Sequence, residues 1–81
     1  MPLTFSDHAR SEIERRQIPI QWIERVVEAP ARLKPDAVDP LLTRAHAPID
    51  EMNGRVLCVV YNHVDYHIVT VFFDRRMRGK T

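Results

Sequence analysis

The chain has 81 residues and a mass of 9.5 kDa, a length that accommodates a single domain over residues 1–81. Its composition, 44% hydrophobic and 28% charged with only two glycines, excludes a collagen-like or low-complexity chain. The net charge of +1 disfavours a purely electrostatic nucleic-acid binder, although ten of the twelve basic residues are arginine, whose planar guanidinium suits phosphate.

The first third of the chain predicts two helices. The first is capped by Ser6 or Asp7 and ends near Gln17, with one apolar stripe formed by Phe5, Ala9 and Ile13. Pro19 stands at or just before the start of the second helix. That helix ends at Ala29–Pro30, because the residue before a proline disfavours helical geometry. Its buried side is predicted to consist of Ile20, Ile23, Val26 and Val27, with Trp22 beside them.

The remaining chain predicts strands separated by turns. Residues 31–36 form a short strand that Pro35 confines to a sheet edge, and residues 41–47 form a second strand that Pro48 closes. Asn53–Gly54 marks a hairpin turn. Two Val-rich strands follow, over residues 55–62 and 67–74, and we expect both of their faces to be covered, one by the helices.

This order predicts an α+β fold in which two N-terminal helices pack on a small antiparallel sheet of about four strands. A basic tail, residues 74–81, follows the last strand. We expect its final seven residues to be loose or to fold only against a partner.

The cellular compartment is predicted from features that the sequence lacks. The longest unbroken apolar run, Val56 to Tyr61, is far below the ~18 residues that a membrane helix needs. The first residues have neither a basic start nor an apolar core, so no signal peptide is expected. The single cysteine, Cys58, cannot form an internal disulfide. We therefore expect a cytoplasmic protein that does not bind a membrane.

Several segments are similar to a known family, over roughly Phe5 to Arg76. Their order and spacing resemble the domain-of-unknown-function family 4258, in the segments Phe5–Ala9, Glu14–Arg16, Trp22–Pro30, Arg55–Asn62 and Ile68–Arg76. That family looks like a distant relative of the RelE/ParE toxins. The resemblance implies helices against a curved antiparallel sheet and RNA cleavage without a metal or cofactor. It also implies neutralisation by an antitoxin protein, although ParE-type members poison a topoisomerase instead.

Candidate site residues are those whose chemistry suits metal-free RNA cleavage. His8 matches the family's His-Ala position and is a candidate general base or acid, because the pKa of histidine lies near 7. Arg44 and Arg55 are candidate phosphate contacts within predicted strands. Thr70 could orient a phosphate or a water, and Arg75–Arg76 could contact the RNA backbone. The alternatives are a helix-start histidine, edge-strand arginines, an ordinary strand threonine and a solvated tail.

A further polar motif and the single cysteine have open interpretations. His63, Asp65 and His67 alternate, and with His46 they could bind a metal on one strand face. Because a turn is predicted through them, a polar hairpin tip is the expected structure and no metal site is assigned. His67 is alternatively a second catalytic histidine. Cys58 lies inside an apolar strand and is expected to be buried.

The leading hypothesis is a cytoplasmic, toxin-like, metal-independent endoribonuclease without a cofactor. Its expected partners are RNA, including ribosome-associated RNA, and an antitoxin protein, and the chain is expected to be a monomer or a small homo-oligomer. The alternative is a non-catalytic protein-binding module of the same fold. The low net charge fits this alternative equally well.

Overall fold

The computed structural model describes residues 3–75 of the chain. Its helices are α1 (Asp7–Arg16) and α2 (Ile20–Glu28). Its strands are β1 (Thr4–Phe5), β2 (Arg32–Pro35), β3 (Leu42–Ile49), β4 (Arg55–Asn62) and β5 (His67–Asp74). They form one sheet in the order β1-β5-β4-β3-β2, which confirms the predicted α+β class.

The sheet has five strands and is mixed, so the prediction of about four antiparallel strands is wrong in both respects. β1 pairs in parallel with β5, with Thr4 opposite His67 and Phe5 opposite Ile68. The other neighbouring strands are antiparallel. Because β1 has only two residues, it is too short to show an alternating pattern in the sequence.

The start of α1 is fixed to β5 through its N-cap. The Ser6 hydroxyl accepts a hydrogen bond from the Ala9 N–H at 3.0 Å and donates one to the Val69 carbonyl at 2.8 Å. This confirms Ser6 as the cap. The helix ends where Gln17 adopts a left-handed backbone conformation, with φ of 54°.

The hydrophobic core lies between the helices and one face of the sheet. On α2 the side chains of Ile23, Val26 and Val27 are buried, as predicted, whereas Ile20 is 39% exposed and was wrongly assigned to the core. The sheet contributes alternate residues to this core, namely Ala45, Ala47, Ile49, Leu57, Val59, Tyr61, Ile68 and Val71. This alternation leaves the opposite face of the same strands without a helical layer in the described part of the chain.

The strand β3 continues beyond Pro48, which was predicted to close it. Pro48 lies opposite Val56 of β4, but β2 pairs only with residues 43–46 of β3. At Pro48 the strand therefore has a neighbour on one side only, and a proline is tolerated at such an edge position because no ladder hydrogen bond is lost there.

The turns that connect the strands are close to the predicted positions. A short 3-10 turn, Asp50–Met52, precedes the predicted Asn53–Gly54 turn, in which both residues have positive φ (58° and 80°). The β2 strand lies at a sheet edge, as predicted. Arg75 is exposed at the end of β5, and the tail prediction for residues 76–81 falls outside the described residues.

Candidate functional site

The sheet face opposite the helices, named here the open face, has a polar rim around an apolar centre. Two rows of residues cross it in register. One row contains Arg32, His46, Cys58 and Phe72, and the other contains Lys34, Arg44, Val60 and Thr70. Cys58 and Val60 are buried, while the β2 residues Arg32 and Lys34 are exposed. The sequence prediction of two covered faces is therefore only half right, because side chains rather than a second layer bury this centre.

His46 is the buried polar residue of the open face. It is 4% exposed, and its Nε2 lies 3.6 Å from an Oδ2 of Asp74, at the end of β5. Its Nδ1 is buried and has no hydrogen-bond partner within residues 3–75. A buried nitrogen without a partner costs free energy, so its persistence calls for an explanation such as a ligand or a catalytic role.

The charge state of His46 depends on its surroundings from three strands. Burial lowers the pKa of His46 below its ordinary value of 6.5, Asp74 of β5 opposes that effect, and nearby cations lower it further. Those cations are Lys34 and Arg32 of β2 and Arg44 of β3. His46 is therefore neutral at pH 7, which is the state that can accept a proton.

Arg44 is held beside this histidine by the turn that follows β2. Its Nε donates a hydrogen bond of 3.0 Å to Asp36, whose carboxylate also accepts from the backbone N–H groups of Asp39 (2.9 Å) and Val38 (3.0 Å). These backbone donors, and then Arg44, lower the pKa of Asp36. This bond uses the Nε of Arg44, so Asp36 orients the guanidinium through an atom other than its two Nη groups.

A shallow depression adjoins Arg44 at the rim of the open face. It has a volume of about 280 Å³ and is lined by Arg44, Phe72, Phe73, Asp74 and Arg75. Thr70 lies in register with Arg44, two strands away on the same face. Among the residues predicted from the sequence, the structure thus places Arg44 and Arg75 at one depression and Thr70 on the same sheet face as Arg44.

Arg55 lies on the other face of the sheet from Arg44. It pairs with Ile49 of the helix-covered face, and its guanidinium carbon lies 4.7 Å from the centre of the Phe73 ring. A second depression, of about 490 Å³, is lined there by Met52, Asn53, Arg55 and Arg75. The two predicted phosphate contacts therefore do not share one site.

His8 is also separated from the open face. It is exposed on α1, in the helical layer that covers the opposite side of the sheet. The structure does not bring it together with Arg44 or Thr70. Its catalytic role stays a prediction, as does the RNA contact of Arg76, which lies outside the described residues.

The histidines near the β4–β5 turn have other partners. His63 Nε2 lies 3.2 Å from the Pro40 carbonyl oxygen, and His67 Nδ1 lies 2.7 Å from the Thr4 hydroxyl. The Asp65 carboxylate accepts from the His67 backbone N–H. Within residues 3–75 no three side chains of the metal-ligating types form a cluster. The alternating motif is thus used for turn contacts.

Cys58 is buried at the centre of the open face, as predicted. Its side chain has no exposed surface, and burial raises the pKa of its thiol to about 12. It is therefore a protonated thiol at pH 7, which excludes it as a nucleophile in this conformation.

Comparison with protein families identifies the chain. The model of a domain of unknown function, DUF4258, matches residues 5–73. The chain belongs to the DUF4258 family. The match covers every helix and all of the strands of this DUF4258 protein except the last residue of β5 and the first of β1. No curated protein and no solved structure matches the chain. In the described part of this DUF4258 protein, neither helix is long and apolar enough to cross a membrane.

The residue that sequence reasoning missed as a catalytic candidate is His46. The signal was present, because Arg44 and His46 are two apart in a predicted strand and so share one face. Which face of that strand is buried against the helices depends on how α2 packs, and the sequence pattern does not show this packing. The partner Asp74 ends the last strand, and its proximity depends on the register of three strands.

The buried state of His46 predicts a pH dependence of stability. Because the folded pKa lies below 6.5, the unfolded chain binds more protons between those two pKa values. We therefore expect the free energy of unfolding to fall as the pH drops below about 6.5. Urea denaturation across a pH series measures it, and His46→Gln should show a weaker pH dependence. His63→Gln, which removes an exposed histidine, is the control, and equal pH dependence in all three proteins would contradict the prediction.

Proposed function

We propose that this protein is a cytoplasmic, RelE/ParE-like endoribonuclease of toxin type, and that its open face binds and cleaves RNA without a metal. The observation that supports it best is the buried, neutral His46, with its unpartnered Nδ1, beside Asp74 and an oriented Arg44. Three cationic side chains of β2 and β3 surround this histidine and suit a phosphate.

The proposed reaction uses His46 as the general base. The carboxylate of Asp74 favours the imidazole tautomer with its proton on Nε2, which leaves the lone pair on Nδ1 to accept the proton of a ribose 2′-hydroxyl. The 2′-oxygen then bonds to phosphorus, the bond from phosphorus to the 5′-oxygen breaks, and the 5′-oxygen takes a proton from water. The products are a 2′,3′-cyclic phosphate and a 5′-hydroxyl.

The other open-face residues have supporting roles in this reaction. Arg44 stabilises the charge that develops on the phosphate oxygens. Thr70 orients the phosphate or a water molecule, and Phe72 offers a half-buried ring against which a base can stack. Because His46 is only 4% exposed, side chains around it must move before its Nδ1 can reach a ribose. The proposed partners are RNA, including ribosome-associated RNA, and an antitoxin protein.

The proposal is tested by RNA cleavage with the purified full chain in the presence of excess EDTA. We expect cleavage with 2′,3′-cyclic phosphate ends, and we expect Arg44→Ala to slow it by about 10²–10³-fold. Arg10→Ala, which removes the same charge from the exposed surface of α1, is the matched control and should keep full activity. No cleavage of total or ribosomal RNA by the folded wild-type protein would contradict the proposal.

A second candidate function is a non-catalytic protein-binding module, and one surface favours it. Large apolar side chains are exposed on β2 and on the turn between β2 and β3, with Leu33 at 55%, Leu41 at 51% and Val38 at 90% exposure. A contiguous apolar patch is typical of a contact surface, and these three side chains lie on β2 and the turn after it, at one edge of the sheet. Tight binding of a protein partner that is lost in Leu33→Ser, together with no RNA cleavage, would favour this function.

A further inference from the structure

The depression beside Arg44 and the depression beside Arg55 meet at one residue. Arg75 lines both of them, at the point where β5 ends. One depression is lined by Arg44 of the open face and the other by Arg55 of the helix-covered face. Arg75 therefore stands at the end of the sheet between two cationic surfaces that lie on its opposite sides.

The second depression has a cationic lining that suits an anion. The guanidinium carbon of Arg55 lies 4.7 Å from the centre of the Phe73 ring, a contact that positions this cation at the depression. The described lining, Met52, Asn53, Arg55 and Arg75, contains two cations and no carboxylate. The nearby acidic residue Glu51 is held by Arg25 of α2 through bonds of 3.1 and 3.2 Å, so its charge is already compensated.

The distance between the two arginines fits a ligand with several phosphates. Arg44 lies five positions before Ile49 on β3, and Ile49 is opposite Arg55. At about 3.3 Å per residue, the two arginines are separated by roughly 16 Å along the strand direction, in addition to lying on opposite faces. A single phosphate cannot contact both.

We propose that Arg55 and Arg75 form a second phosphate-binding site, which holds a single-stranded RNA chain as it leaves the open face and passes over the end of β5. The inference rests on the proposed function, and it defines the substrate as a single strand. A duplex is too stiff to bend around the end of a sheet over this distance, because double-stranded nucleic acid is straight on the scale of tens of base pairs.

The salt dependence of RNA binding tests this path. The probes are a fluorescent twelve-nucleotide oligouridylate and a trinucleotide, both with 2′-O-methyl groups so that they bind without being cleaved. Loss of one phosphate contact on a single strand lowers the slope of log K against log salt by about 0.7. We expect Arg55→Ala to lower the slope by this amount for the long probe and to leave trinucleotide binding unchanged.

Three comparisons make the result decisive. Arg44→Ala should weaken the binding of both probes, Arg10→Ala of neither, and Arg55→Lys should restore most of the slope for the long probe because it keeps the charge. An unchanged slope in Arg55→Ala, with Arg44→Ala impaired, would overturn the second site and leave the proposed function standing. If neither probe binds to the wild-type protein, both the second site and the proposed function are overturned.

Discussion

Replacement of His46 by alanine is expected to slow RNA cleavage by about 10²–10⁴-fold while RNA binding stays nearly unchanged. The reason is that His46 is proposed to move a proton, whereas the cationic side chains around it bind phosphate. A mutation of Arg44 should instead weaken both binding and cleavage. The measurement compares single-turnover cleavage rates with dissociation constants for an uncleavable 2′-O-methyl RNA.

The dependence of the cleavage rate on pH gives a second readout of the same role. The pKa of His46 is below its ordinary value of 6.5, so the base is already unprotonated at neutral pH. We expect the rate to rise with pH through the acidic range and to be level near pH 7. That acidic limb should disappear from the residual activity of His46→Ala, which a purely structural role would not cause.

The His8→Ala variant, measured in the same experiment, tests whether the helical layer rather than the open face carries the reaction. His8 is exposed on α1, so the substitution does not disturb the core, and the structure places it on the far side of the sheet from Arg44. If the open face carries the reaction, His8→Ala cleaves RNA normally, and that result would remove His8 from the mechanism predicted from the sequence. Full activity in His46→Ala together with loss in His8→Ala would move the active site to the helical layer.

Elements of the fold were predictable from the sequence where a single local pattern defines the element. The strands β4 and β5 are Val-rich and bounded by turns, and their predicted ranges agree with the structure. Two predictions, the number of strands and the end of β3 at Pro48, were wrong because these features depend on neighbours that are distant in sequence. β1 exists because Thr4 and Phe5 meet β5, and Pro48 is tolerated because β2 ends before it.

The candidate site was less predictable than the fold, for a related reason. The sequence contains residue types suited to RNA chemistry, but it does not show on which face of a strand or helix each side chain lies. These residues are Arg44, Arg55, Thr70 and His8. The five-residue offset between Arg44 and the partner of Arg55 puts the two arginines on opposite faces, since side chains alternate along a strand. Only the assembled register brings Asp74 to His46.

Replacement of Ile23 by alanine is expected to cost about 2–5 kcal/mol of the free energy of unfolding. Ile23 has no exposed surface and lies on the face of α2 that packs against β3 and β4. A domain of this size has about 4–12 kcal/mol in total, at about 0.05–0.15 kcal/mol per residue. The single cavity therefore removes a large fraction of the stability of the sheet that supports Arg44 and His46.

The matched control is Ile20→Ala, which makes the same chemical change three residues earlier in α2. Ile20 is 39% exposed, so less apolar surface returns to water and little cavity forms. Urea denaturation of both variants measures the difference, and Ile23→Val, at about 0.5–1.5 kcal/mol, replaces the alanine variant if that variant does not fold. Equal losses in the two alanine variants would contradict the packing of α2 described above. A large loss at Ile23 alone would tie the integrity of the open face to the helix on its reverse side.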